Sequence, residues 1–425
     1  MKCIWVAVIL LAGCSPKYLI RKEITNTENI LQDHLGFYLV DLSSNKTLID
    51  FNGAKYFTPG SNTKIFTFYT SLKLLGDSVA SLKYFQRGDS LIFQGLGDPS
   101  FLYKNVFDNE KVYQFLKNHP AKLFYYSKNF QTESLGPGWA WDDYNDDYSA
   151  ERSPFPIYGN LISIQRPTRE TFAFQPFRFS SDFHISTEIH KDEEIIRGID
   201  SNELVYFNGK NKSKSFTIPF RTSSDLFVDL LSDTLHRSVE EINKPAPQDS
   251  FVLKSTPVDS LYKVMMQDSD NFIAEQLLLQ CAAIVSDTLK PEIAIRYSKK
   301  NFLSDLPDSL QWVDGSGLSR YNLFTSRSIV ALWKKIYQLV PQERLFKLLA
   351  VGGKSKSLKN WFKADEPYIF GKTGSLSNVR SLSGFLITKK NKVLIFSIMN
   401  NNFTTSGTEV RKQVEKILKQ VHDKF

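Results

Sequence analysis

The chain is short of cysteine. Its 425 residues hold three, and two of them, Cys3 and Cys14, fall in the first fourteen positions. That leaves Cys281 as the one internal thiol, so an exported chain of this kind has no intramolecular disulfide. Cys281 lies in the apolar run "LLLQCAAIV", where a small buried hydrophobe is expected. There is no cysteine pair at metal-ligand spacing and no HExxH, so neither a metal nor a cofactor is expected. The six histidines are scattered and no serine sits in a GxSxG elbow, which removes local support for a Ser-His hydrolase. No arginine-rich run concentrates the net charge of +8. A nucleic-acid partner is therefore not expected, and the diffuse positive charge suits an anionic neighbourhood such as a membrane surface or wall polymer. Internal repeats are also missing.

Long apolar runs are scarce as well. Residues 4–12 form one, after Lys2, but it falls short of the ~20 residues of a spanning helix. It fits a secretory signal instead. The run ends "LAGC", which resembles the lipobox of bacterial lipoproteins, cut before a cysteine that then carries lipid. Residues 1–13 are read as the signal peptide, and residues 14–35 as the lipidated Cys14 with a polar tether. The expected location is a membrane-anchored lipoprotein facing the periplasm. Ser15 after the cysteine, in place of Asp, points to the outer membrane.

What is present is an ordinary globular composition, 42% hydrophobic, long enough for two or three domains. Residues 36–51 read as a hairpin around the polar turn 43–46. From Ser61 the pattern turns helical, with Ile65, Phe68, Leu72 and Leu75 on one side and Gly76 as a stop. Residues 85–250 carry short β-like runs such as "SLIFQ", "KLFYYS", "NLISIQ" and "FAFQPFRF", and read as a mostly β insertion. "NGKNKSKS" near Gly209 reads as an exposed loop. After residue 250 come a helix–turn–helix, a hairpin at 379–400, and a closing amphipathic helix with Val410, Val414, Ile417, Leu418 and Val421 on one face. Residues 36–84 and 251–425 thus form the two parts of one domain.

The serine–lysine spacing Ser-x-x-Lys occurs at Ser61–Lys64, but also at Ser43–Lys46 and Ser260–Lys263. The first decoy lies on a hairpin turn. The second has no helix-opening Pro-Gly and no downstream partner, so both read as surface. Ser61–Lys64 follows Pro59-Gly60 and places both side chains on one face of a first helical turn. It is followed in order by Ser269-Asp270-Asn271 and by Lys372-Thr373-Gly374. This trio makes sense as one acyl-transfer site. A serine hydroxyl needs a base to become a nucleophile. Lys64 can serve when neutral, a state favoured by burial and by a second cation, Lys372. Ser269 can relay the proton to the leaving amine. Asn271 can hold Lys64 and a substrate amide. Lys372 and Thr373 can hold a terminal carboxylate, with Gly374 letting a substrate backbone approach. The N–H groups of Ser61 and Ser375 are the candidate oxyanion hole.

With these motifs the chain resembles the type-4 low-molecular-mass penicillin-binding proteins, the D-alanyl-D-alanine carboxypeptidase/endopeptidases. The segments "GLGDPSFL", "GPGWAWDDYNDDYSAERSPF", "MMQDSDNFIAEQLL" and "DGSGLSRYN" carry the same resemblance. It implies an α+β fold: a penicillin-binding-protein/serine β-lactamase-like transpeptidase domain, an antiparallel sheet flanked by helices, with a large insertion. It also implies a serine DD-peptidase acting on peptidoglycan stem peptides as carboxypeptidase or cross-link endopeptidase, acylated by β-lactams. Asp143, in "WDD", is the implied contact to the substrate's diamino acid. The chain departs from the family pattern at Lys354 and Ser355 in "GGKSKSL", and in having Ser375 after KTG. The competing readings are a β-lactamase, which would need a Glu in an ExxLN element after Asn271, and an inactive β-lactam or cell-wall binder, which would have lost one of the three motifs.

Overall fold

The computed structural model describes residues 15–103, 106–168, 171–245, 247 and 249–425. The signal peptide and Cys14 lie outside the described residues. The chain divides into two compact units. One takes residues up to 69 together with 262–269 and 298–425, and the other takes residues 70–261 and 270–297.

The first unit is built on a six-stranded antiparallel sheet. In spatial order its strands are Ala350–Val351, Ile369–Leu376, Val379–Ile387, Val393–Asn401, His34–Asp41 and Lys46–Phe51. Alternation along the pleat sends successive side chains to opposite faces. Leu382 packs in one cluster with Val410 and Val414 of the C-terminal helix Gly407–Lys424. Ser383 and Phe385 face the other way, onto Trp333 of the helix Ser326–Leu339. The C-terminal helix buries the five apolar residues read from its periodicity. The first hairpin also forms where the alternation places it.

The polar tether is a correction. Residues 16–31 form a helix, Pro16–Leu31, capped by the Ser15 hydroxyl. Ile20, Ile24, Thr27 and Leu31 are buried at four- and three-residue spacing, and Glu23 pairs with Lys416 of the C-terminal helix at 2.8 Å. Abundant Lys, Arg, Glu and Asn on the other face hid this stripe from a reading of bulk polarity.

The second unit has a five-stranded sheet ordered Val239–Glu241, Lys122–Tyr125, Ser90–Gly95, Ser78–Arg87, Phe251–Pro257, and two three-stranded sheets. The helices Lys111–Asn118, Ser224–Leu235 and Asn271–Ser286 belong to it. Its boundaries differ from those read at residues 84 and 250. Ser78–Arg87 pairs with both Ser90–Gly95 and Phe251–Pro257, so a cut at either place would divide a sheet. Near Gly209 the expected loop is shorter. Leu204–Asn211 is a strand through Asn211, and Gly209 is buried because its missing side chain lets the backbone of Asp192 and Glu193 come close.

Candidate active site

Ser61 lies in a single 3-10 turn, Gly60–Thr63, that runs into the helix Lys64–Leu74. The residue before the turn is Pro59, so the Ser61 hydroxyl is not spent as the cap. Instead it accepts a hydrogen bond from Lys64 Nζ at 3.0 Å. Two glycines make room for this turn. Gly317, at φ +88°, has no side chain where one would overlap the Gly60 carbonyl, and a Cβ on Gly374 would lie 2.5 Å from Pro59 O.

Lys64 is fully buried and also donates to Ser316 O at 2.7 Å. Asp314 fixes the loop that presents this carbonyl. Its carboxylate accepts from the Gly317 and Ser319 amides at 2.9 and 2.7 Å and from Asn322 Nδ2 at 2.7 Å. Thr67 Oγ1, one turn beyond Lys64, donates to Gly315 O at 2.7 Å. The segment "DGSGLSRYN" is therefore a holder for the lysine.

Lys372 is the second buried cation. Its Nζ donates to Ser269 Oγ at 2.8 Å and to Thr373 O at 2.8 Å. Burial, and then the charge of Lys64, hold its ammonium well below the ordinary lysine range. Ser269 has φ +67°, a conformation a serine adopts only when its surroundings impose it. Ser61, Lys64, Ser269 and Lys372 all belong to the first unit and come together there as one cluster.

Asn62 is fully buried and was not singled out in the sequence. Its Nδ2 donates to Lys372 O at 3.2 Å and to Ser381 Oγ at 2.7 Å, and its Oδ1 accepts from Ser383 Oγ. Ser381 Oγ donates on to Pro59 O at 2.6 Å, and Trp333 Nε1 donates to Ser383 Oγ at 2.8 Å. This network ties the Ser61 turn to the two strands that carry Lys372 and its neighbour. No spacing in the sequence marks Asn62; only the register of strands about 310 residues downstream gives it partners.

Gly374 needs a different account from the one its motif suggested. Its missing Cβ points at Pro59 O and Ser381 Oγ, so it serves the packing of the strand against the Ser61 turn. Thr373 and Ser375 pair with Leu382 and Arg380, on the face of the sheet that the C-terminal helix covers. Lys372 and Gly374 look toward the Ser61 cluster. The Ser375 backbone N does lie against the turn, 3.1 Å from where a Cβ on Gly60 would be.

Asn271 and Asp143 lie in the second unit. Asn271 opens the helix Asn271–Ser286, which Asp270 caps by accepting from Ile273 N at 2.8 Å. Asn271 Nδ2 donates to Tyr148 O at 2.9 Å, and Tyr148 OH donates to Asp143 Oδ1 at 3.0 Å. The two sequence candidates are thus joined through one tyrosine. Four residues into the helix, Glu275 forms a buried pair with Arg152 at 3.4 Å. Both decoy pairs, Ser43–Lys46 and Ser260–Lys263, are exposed. Cys281 is fully buried beside Ser71, and burial pushes its thiol up to about 12.

Penicillin-sensitive carboxypeptidase A of Dictyostelium discoideum is 23% identical over 87% of this chain and 83% of its own length. D-alanyl-D-alanine carboxypeptidase DacB of Haemophilus influenzae is 22% identical over 88% and 87%. The crystal structure of penicillin binding protein 4 (dacB) from Haemophilus influenzae overlays with a TM-score of 0.76 at 18% identity, covering 94% of this chain and 99% of that one. A predatory peptidoglycan endopeptidase of Bdellovibrio bacteriovorus overlays with a TM-score of 0.54 at 16% identity, covering 92% of each chain. The family model matches residues 19–424, and the chain belongs to the D-Ala-D-Ala carboxypeptidase 3 (S13) family.

Proposed function

We propose that this serine DD-peptidase works through an acyl-enzyme on Ser61, formed on peptidoglycan stem peptides that end in D-Ala-D-Ala or are cross-linked through it. The observation that carries the reading is the short hydrogen-bonded path Lys64–Ser61 beside Lys372–Ser269, with both lysines buried. Lys64 takes the Ser61 proton as Oγ attacks the penultimate D-alanine carbonyl. The Ser61 and Ser375 amides face the developing oxyanion. Lys372 passes a proton through Ser269 to the departing amine, and water then releases the acyl group. β-Lactams acylate the same serine. The Haemophilus influenzae structure has been solved with a β-lactam, and a Bdellovibrio bacteriovorus endopeptidase with penicillin G as an acyl adduct. Cys14 carries the lipid that holds the protein at a membrane facing the periplasm.

Incubation with purified muropeptides and mass spectrometry tests the assignment. Loss of one alanine mass marks carboxypeptidase action, and conversion of dimers to monomers marks endopeptidase action. Ser61→Ala is expected to abolish both, along with labelling by fluorescent penicillin. Labelling that survives this change would remove Ser61 as the nucleophile.

A further inference from the structure

A cleft opens on the C-terminal-helix face of the sheet, away from the Ser61 cluster. Its floor is two rows of register partners, Ser375–Arg380–Asn400 and Thr373–Leu382–Ile398. Trp361, Val414 and Arg411 form its walls. Three polar atoms of the lining are buried and lack a hydrogen-bond partner: Arg380 Nε, Asn400 Oδ1 and Ser357 Oγ. Asn400 is fully buried, and its Nδ2 is already committed to Asp33 at 2.6 Å.

The charge is one-sided. Arg380 donates only to the Leu376 and Val379 carbonyls, and Arg411 stacks over Trp361 with its Cζ at 5.8 Å. Among the described residues neither arginine has a carboxylate partner. Burial, and then the charge of Arg411, pull the Arg380 guanidinium below its ordinary range. Two guanidiniums beside an apolar wall, one of them with an unpaired Nε, match the chemistry that binds a carboxylate by charge-assisted hydrogen bonds.

We propose that this cleft is a binding site for a small amphiphilic carboxylate, an anionic head on Arg380 and Arg411 and an apolar body against Trp361 and Val414. The site is separate from the acyl-transfer centre, and its ligand leans on the strand whose opposite face carries Lys372. Arg380 is the register partner of Ser375, so head-group binding bears directly on that strand.

The test uses 4-benzoylbenzoate, a photoreactive aromatic carboxylate, with its neutral amide as control, on the purified full-length protein. Saturation-transfer NMR is expected to show saturable binding of the acid and none of the amide. Arg380→Gln and Arg411→Gln are each expected to weaken binding at least tenfold. Arg411 lies on the helix Gly407–Lys424 and not in the sheet, so its variant reports on the site even where Arg380→Gln fails to fold. After irradiation, cross-links are expected in the peptides spanning residues 356–362 or 410–414. Absence of saturable binding, equal binding of the amide, indifference to Arg411→Gln, or cross-links confined to peptides outside the cleft would each overturn the proposal.

Discussion

Gly374→Ala separates two explanations of the glycine in the Lys-Thr-Gly strand. If the glycine admits a substrate, the added methyl raises KM for peptide substrates and leaves the fold alone. The structure gives the other outcome. The new Cβ would lie 2.5 Å from Pro59 O, and closer still to Ser381 Oγ. Reaching van der Waals separation requires the strand and the nucleophile turn to part by roughly 1 Å. Ser381 Oγ can swing away only by giving up its bonds to Pro59 O and from Asn62 Nδ2. Overpacking of a tight interior costs ~1–3 kcal/mol, and two lost hydrogen bonds add ~1 kcal/mol each, for a total of about 3–5 kcal/mol. A displacement near 1 Å at the nucleophile costs about 100-fold in rate. The melting temperature is expected to fall, and acylation by a small β-lactam is expected to slow as much as cleavage of a muropeptide. Thermal melts and stopped-flow labelling with fluorescent penicillin measure both. An unchanged melting temperature with normal penicillin labelling and a raised KM for peptide alone would refute the packing account.

Lys372→Met removes a cation that burial and Lys64 hold well below its ordinary range. The native state binds fewer protons than the unfolded chain between that lowered value and 10.5, so wild-type stability rises with pH through this window. The variant is expected to lose this slope in pH-dependent melts and to lose acylation together with it. Asp33 is nearly buried beside Asn400, and burial raises its carboxyl from 3.8 to about 6. The folded state holds the proton longer, so stability falls as pH rises from about 4 through 6, by on the order of 2–3 kcal/mol. Asp33→Asn is expected to flatten that fall and to melt higher than wild type at pH 8; an unchanged pH profile would count against it. Cys14→Ser is expected to move the protein from the membrane to the soluble fraction on cell fractionation, and continued membrane association would rule out the lipid anchor.

The sequence by itself marked the candidate site and determined most of the local structure. Context picked Ser61–Lys64 out of three equal serine–lysine pairs: Ser43–Lys46 falls on a hairpin turn, and Ser260–Lys263 has no helix-opening Pro-Gly and no partner motif at a plausible distance after it. Periodicity placed the C-terminal helix and the first hairpin, since burial of a 3.6- or 2-residue stripe is written directly in residue order. The same rule held for Pro16–Leu31, yet polar composition masked its stripe. What only the tertiary structure decided depends on contacts between residues hundreds of positions apart. Asn62 is an unremarkable polar residue until strands near positions 372 and 381 surround it with partners. The reason for Gly374 changes once Pro59 O is seen beneath it. The faces of Thr373 and Ser375 follow from strand register, which no local pattern encodes when both faces of a sheet are covered.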